Sequence, residues 1–258
     1  MPAIALSIAG SDPSGGAGIQ ADLKTFTQFG AYGEAAITLL TVQNTRGVSR
    51  VEILPTDLVV QQIEAVLADI PPTAAKTGAL GSVEIVEAVA ELTVSFAFPL
   101  VVDPVMISKH GARLLSHDAE ETLKRKLLPR AFLVTPNIPE AEALTGITIR
   151  DQEDVKEAAA RILDFGCAAV LIKGGHLAGP PDDLLLSGGE STVYAGKRVN
   201  TTSTHGAGCT YSAAITASLA LGLGLKDACG RAKQYIQHAI ETAPSLGHGN
   251  GPLNHFVN

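Results

Sequence analysis

The sequence predicts an α/β fold with a mostly parallel central sheet and helices on both faces, and three observations lead there. Short aliphatic runs at residues 3–9, 35–42, 100–103, 131–134 and 168–173 alternate with longer stretches of helical period, such as 58–70 and 155–165. Alternation of that kind builds βαβ units. The short runs are nearly continuous in Ala, Val, Ile and Leu, the pattern of strands covered on both faces. No Pro/Ser linker, charge run or internal repeat breaks the alternation, so residues 1–258 are read as a single domain.

In chain order, the run at 3–9 is the first strand, and Gly10-Ser11-Asp12-Pro13-Ser14-Gly15-Gly16-Ala17-Gly18 joins it to a helical stretch at 19–29. The runs at 35–42, 100–103, 131–134 and 168–173 are further strands, with the helical stretches lying between them. Near 184–193 the segments shorten around Ser187-Gly188-Gly189-Glu190, which reads as a β-hairpin at one end of the sheet. After Gly208 the chain is helical almost to its end. The apolar stretch 213–225 falls short of the ~20 residues that span a bilayer and reads as a buried helix, so no membrane is expected.

Composition narrows the function classes. Hydrophobic residues make up 46% of the chain and Trp is absent, which suits a sizeable core of small aliphatic side chains. The formal charge of -7 is spread along the chain with no Lys/Arg track, and that argues against nucleic acid as a partner. Three cysteines, Cys167, Cys209 and Cys229, show no C-x-x-C spacing. A disulfide framework and a zinc site are both disfavoured, and a reducing cytoplasm is expected. The start of the chain has no basic n-region and only a short apolar run, unlike a signal peptide.

In open parallel sheets, ligands bind beyond the C-terminal ends of the strands, so motifs that follow strands carry the chemistry. The loop Gly10–Gly18 follows the first strand. It has Gly16 where a Walker A loop needs Lys, and its match to a dinucleotide fingerprint starts too far from the strand. It is either a tight glycine turn or a substrate-lining loop, and its length favours the second.

Thr204-His205-Gly206-Ala207-Gly208-Cys209-Thr210 enters the Ala-rich helix. There Gly206, Ala207 and Gly208 can converge backbone N–H groups on a transferring phosphoryl group, and the helix start adds positive charge. Cys209 at that start is expected to have a lowered pKa, which would make it a base for a substrate hydroxyl. The competing reading is a turn followed by a small core side chain.

In Thr135-Pro136-Asn137-Ile138-Pro139-Glu140, Asn137 and Glu140 either serve Mg²⁺ and its waters or form a capping box. Asp103 and Lys173 end two strands. They either hold Mg²⁺ and neutralise ATP phosphate or merely terminate the strands. His176 and His205 read as polar loop residues.

Together these segments resemble the hydroxymethylpyrimidine/phosphomethylpyrimidine kinases of thiamine biosynthesis, a branch of the ribokinase superfamily. The resemblance runs nearly end to end, from Ile8-Ala9-Gly10-Ser11-Asp12-Pro13-Ser14-Gly15-Gly16-Ala17-Gly18 through Gln43-Asn44-Thr45, Asp103-Pro104-Val105-Met106 and Lys173–His176 to Gly249-Asn250-Gly251-Pro252. It implies a ribokinase-like three-layer α/β/α sandwich that uses ATP and Mg²⁺ to phosphorylate the pyrimidine alcohol and then its monophosphate. It also implies a cytoplasmic homodimer.

By the same resemblance, Gln43 would hydrogen-bond the pyrimidine, Gly10, Ala17 and Val105 would line its pocket, and Asp22 would support its polar edge. Asn137, Lys173 and Thr204 would contact the nucleotide, with Lys173 on its phosphate. Asp103, Glu140 and Asn137 would organise Mg²⁺ and its waters. Cys209 stands where sugar kinases of the superfamily carry an Asp base, which points away from sugars. One departure is Lys76-Thr77-Gly78-Ala79-Leu80, where the family usually has Lys-Ile-Gly-Met-Leu. Ala79 in place of a pocket-wall Met would widen the pyrimidine site. The rival readings are a pyridoxal or pyridoxine kinase and a non-catalytic pyrimidine-binding regulator. The regulator would have no use for Cys209, Asn137, Glu140 and Lys173 together.

Overall fold

The first aliphatic run becomes β1 (Ile4–Ser11), whose residues are buried up to Ser11. It pairs on one side with β2 (Tyr32–Asn44) and on the other with β4 (Ala74–Thr77), both parallel to it. The parallel set continues through β5 (Leu100–Val102), β6 (Leu133–Val134) and β7 (Ala169–Ile172). Antiparallel strands finish both edges, β3 (Gly47–Ile53) beside β2 and the hairpin β8 (Asp183–Ser187) and β9 (Glu190–Tyr194) beside β7. The sheet order is β3-β2-β1-β4-β5-β6-β7-β8-β9. A computed structural model describes residues 2–108, 111 and 113–257.

Side chains alternate across each strand, and the two faces collect different helices. Leu6, Ile8, Val102, Val134 and Val170 point to the face covered by α2 (Thr56–Asp69), α3 (Val83–Leu92), α4 (His117–Thr122), α5 (Ile138–Thr145) and α6 (Gln152–Leu163). Ala5, Ala74, Val101, Leu133 and Leu171 meet α1 (Gly18–Phe29), α7 (Ala207–Ala220) and α8 (Leu225–Glu241) on the other. The result is the three-layer α/β/α sandwich of the ribokinase-like fold, in agreement with the expected class.

α7 is buried from Thr210 to Leu219. Its Ala, Ser and Thr residues are small enough to let the helix lie against the sheet, and its hydroxyls turn back to the preceding turn, Ser212 to Gly208 O and Thr216 to Ser212 O. The expected single helix over 213–225 is in fact two. Gly222 adopts a left-handed φ of 86° after α7 and the chain restarts as α8 at Leu225. β3 and β4 were not expected. The first is an edge strand whose residues are all exposed or only partly buried, and the second has four residues with a lysine among them.

Candidate active site

A cavity of about 520 Å³ opens beyond the C-terminal ends of the parallel strands. It lies where β1 has β2 on one side and β4 on the other, the switch point at which doubly wound sheets hold ligands. Gly10, Ala17, Gln43, Ala79, Asp103, Val105, Asn137, Glu140, Lys173, Thr204, Gly206, Ala207, Gly208 and Cys209 all line it.

The Gly10–Gly18 loop is organised by Asp12. One carboxylate oxygen accepts from the Ser14 N–H and hydroxyl, and the other from the Ala17 N–H and from His205. Burial alone would raise the Asp12 carboxyl, but the His205 and Ser14 hydrogen bonds outweigh it and hold the group below its ordinary value. Gly18 (φ 57°) lies so close to the Gly10 carbonyl that a Cβ would collide with it. The loop therefore folds back on β1 and presents backbone to the cavity. On the adjoining wall, β2 runs past the end of β1 and places Leu39, Thr41 and Gln43 along the cavity, while Leu40 and Val42 face away.

The floor carries a Lys–Asp pair. Asp103, directly after β5, is 2% exposed and accepts from Lys173 Nζ at 2.9 Å, Thr135 Oγ1 at 3.3 Å and Ser212 Oγ at 3.1 Å. Burial raises its carboxyl, yet Lys173 and Lys76 pull it below the usual range. Lys173 is raised in turn, because the Asp103 and Glu140 charges outweigh its own burial. Asn137 and Glu140 form the capping box at the start of α5, with reciprocal bonds of 2.8 and 2.9 Å. The capping reading and the site reading are thus compatible. The box consumes Asn137 Oδ1 and Glu140 Oε2 but leaves Glu140 Oε1 without a hydrogen bond among the described residues. Burial first, and the nearby Asp103 charge, push the Glu140 carboxyl up to about 7.

Opposite lies the start of α7. Gly206 caps it with φ 81°, and a Cβ there would collide with the Gly16 carbonyl oxygen. The first intrahelical bond is made by Thr210 N–H, so the Gly208 and Cys209 N–H groups are open to an anion. A Cβ on Gly208 would stand 3.3 Å from Lys173 Nζ, so glycine brings helix start and lysine together.

Two expectations need correction. Asp22 does not reach the cavity wall. It is fully buried on α1, with Lys76 Nζ at 2.8 Å on Oδ1 and Ser7 Oγ at 2.6 Å on Oδ2. Ser7 and Lys76 are register partners on β1 and β4, which is why one carboxylate meets both. Burial raises the Asp22 carboxyl against the pull of Lys76. Lys76 is itself raised by Asp22, Cys209 and Asp103 against its own burial. Because both carboxylate oxygens accept from close donors, the pair is ionic.

The second correction concerns Cys209, which is not a low-pKa thiol. Burial, with Asp22 and Asp103 adding to it, pushes the thiol up to about 11 despite Lys76 and the Gly18 N–H. The helix-start effect falls off within a turn and is outweighed here. His205 lies in the loop ahead of α7, as expected, but not at its surface. It is buried, with Nε2 2.7 Å from Asp12 Oδ2. Sequence reasoning also assigned no role to Lys76, Ser212 or Arg113, which pairs with Glu120 beside the cavity.

Comparison with known proteins gives a consistent picture. A family model described as phosphomethylpyrimidine kinase matches residues 12–254. The chain is 46% identical to the hydroxymethylpyrimidine/phosphomethylpyrimidine kinase of Bacillus subtilis, over 98% of this chain and 94% of that protein. It is 50% identical to the thiamine biosynthesis bifunctional protein ThiED of Geobacter sulfurreducens, covering 98% of itself but only 52% of that protein, about half its length. Among solved structures, the phosphomethylpyrimidine kinase of Clostridium difficile superposes with a TM-score of 0.82 at 48% identity, over 92% and 98% of the two chains. The ADP complex of Bacillus subtilis pyridoxal kinase gives 0.91 at 37% identity, over 99% and 98%.

Proposed function

Since the chain belongs to the phosphomethylpyrimidine kinase family, we propose that it uses ATP to phosphorylate 4-amino-5-hydroxymethyl-2-methylpyrimidine and then the resulting monophosphate, on the route to thiamine diphosphate. The observation that carries this reading is one cavity holding both halves of a phosphoryl-transfer site. On one side are a glycine loop and an amide side chain. On the other, a helix start faces a lysine, with the Cys209 thiol between.

In this reading the pyrimidine ring lies against Gly10, Ala17 and Val105, with Gln43 along its edge and its hydroxyl at Cys209. Phosphoryl transfer has a loose transition state that asks mainly for positioning and charge stabilisation. The Gly208 and Cys209 N–H groups and the Lys173 ammonium supply that charge, and Asp103 holds Lys173 in place. Thr204 and Asn137 border the nucleotide. Cys209 rests as a neutral thiol and orients the alcohol. Acting as a base requires it to lose its proton in the loaded site.

The donors suit Mg²⁺ held mainly by phosphates and water. Among the described residues there is no cluster of three or more His, Cys, Asp or Glu to cage a metal. Glu140, with a free oxygen, and Asp103 face the place where phosphates would lie. When bound, Mg²⁺ neutralises phosphate charge and polarises the transferring group.

The sheet enlists every described strand, which supports a single kinase domain over 1–258. Leu40 and Val42, exposed on the face of β2 that turns away from the cavity, suit a homodimer contact. No helix among the described residues is long and apolar enough to cross a membrane, and three unpaired cysteines fit a reducing cytoplasm.

Pyridoxal is the rival substrate, favoured by the 0.91 TM-score against a pyridoxal kinase. The higher identity to pyrimidine kinases favours the first reading. The test is to offer hydroxymethylpyrimidine, its monophosphate and pyridoxal with ATP to one preparation and follow products by mass spectrometry. Both pyrimidine products should form, and pyridoxal should react more slowly. Exclusive conversion of pyridoxal would replace the reading.

A further inference from the structure

His205 stands between the two halves of the site. Its Nε2 is 2.7 Å from Asp12 Oδ2 in the glycine loop and 3.1 Å from Gln43 Nε2 on β2. Its backbone N–H donates to the Gly251 carbonyl, its neighbour Gly206 caps α7, and its ring packs on Gly16, where a Cβ would stand 2.6 Å from Cδ2. The ring is 3% exposed. A residue that only filled space there would not need its nitrogen aimed at a carboxylate.

Proton placement follows from the chemistry of the partners. Asp12 is ionised and can only accept, so at 2.7 Å the proton on His205 Nε2 points to it. A protonated Nε2 has no lone pair for a Gln43 N–H. Two N–H donors would then face each other at 3.1 Å, so we assign the Gln43 amide the flipped orientation, its oxygen sharing the Nε2 proton with Asp12 and its NH₂ towards the cavity.

Resting on the pyrimidine reading above, we propose that His205, fixed by Asp12, is a positioning residue that sets the orientation of the Gln43 amide, so that the cavity selects a ring offering a hydrogen-bond acceptor at that edge. His205 touches no reacting atom and acts through Gln43.

A double-mutant cycle tests this, with hydroxymethylpyrimidine as the calorimetric probe. Gln43→Ala and His205→Leu should each weaken binding by about 10-fold, the cost of one mispaired buried group. The double variant should be no weaker than Gln43→Ala alone. His205→Gln, which keeps a side-chain N–H for Asp12, should recover most of the loss. ¹⁵N-histidine NMR of the wild-type protein should show Nε2 protonated.

Multiplying losses in the double variant, unchanged affinity in His205→Leu, or an unprotonated Nε2 would each overturn the proposal. If the wild-type protein binds pyridoxal and not the pyrimidine, the substrate reading fails by itself, and the same cycle run with pyridoxal still decides the role of His205.

Discussion

Two of the lysine–aspartate pairs among the described residues, Lys173–Asp103 at 2.9 Å and Lys76–Asp22 at 2.8 Å, differ in what surrounds them. Lys173 and Asp103 line the cavity, the lysine partly exposed above a nearly buried aspartate. Lys76 and Asp22 are both sealed at 0% exposure between β1, β4 and α1, with Cys209 near enough to Lys76 to act on its charge. The same ion pair is thus a working surface in one place and a foundation in the other. A sealed pair should reveal itself in stability when broken, and an open pair in turnover.

The largest effect is expected at the sealed pair. Lys76→Met leaves Asp22 buried without its ammonium and should cost about 3–5 kcal/mol, seen as a fall of ~10 °C in Tm. Adding Asp22→Asn should restore most of it, because a neutral amide can still accept from Ser7. A Lys76→Met variant that melts like the parent would break the comparison. At the open pair, Lys173→Ala leaves Asp103 with the Thr135 and Ser212 hydroxyls, and removing the lysine side chain lets cavity water reach it. Tm should move by a few degrees at most, while kcat for both substrates falls about 10²–10³-fold. A collapse of Tm at this position would show that the open pair is structural too.

Cys209 lies between the pairs and sharpens the contrast. Cys209→Ala should slow phosphorylation of the alcohol by about 10²-fold, the lower end of general-base help, with ATP affinity little changed. The monophosphate step should suffer less, because a phosphate monoester with second pKa near ~6 is already largely deprotonated. Equal losses would assign Cys209 to packing. With the thiol held at about 11, alkylation by iodoacetamide should be slow at neutral pH and quicken steadily into the alkaline range.

The smallest effect is expected at an acid with no lysine at all. Both oxygens of Glu34 on β2 are buried without a partner among the described residues, and burial pushes its carboxyl up to about 7. A carboxyl raised in the folded state contributes its stability below the unfolded value of 4.5 and loses it as pH rises through 7. Glu34→Gln should therefore stabilise the protein by roughly 1–3 kcal/mol at pH 8 and by little at pH 4.5. Equal gains at both values would mean that Glu34 keeps its proton throughout.

What was legible in the sequence follows the same division. Asp103, Asn137, Glu140, Lys173 and Gly206–Cys209 could be found because each stands just past a strand or at a glycine-marked helix start, where position along the chain already implies position in space. Lys76 could not, because it sits inside a four-residue strand. No local pattern says that Asp22 and Ser7 converge on it. The burial of the loop residue His205 is not legible because its partner Asp12 lies 193 positions away. The Cys209 pKa was misjudged for a related reason: the helix start is visible in sequence, whereas the acids and the depth that oppose it come from α1 and β5. Among the elements, the buried parallel strands other than β4 are evident from continuous apolar runs. Edge strand β3 alternates too weakly to stand out.

The placement of α7 has a consequence for how the protein is made. One face of the sheet, with Ala5, Ala74, Val101, Leu133 and Leu171, is closed largely by α7 and α8, and a ribosome delivers both only after all nine strands. A nascent chain that has emerged as far as β9 therefore owns every strand and yet has most of that apolar face wet, with α1 as its main cover. Its greatest exposure to aggregation comes late in translation, which makes that face a natural client surface for chaperones. A stop codon before α7 would leave an insoluble sheet and not a soluble kinase merely short of its phosphoryl cradle.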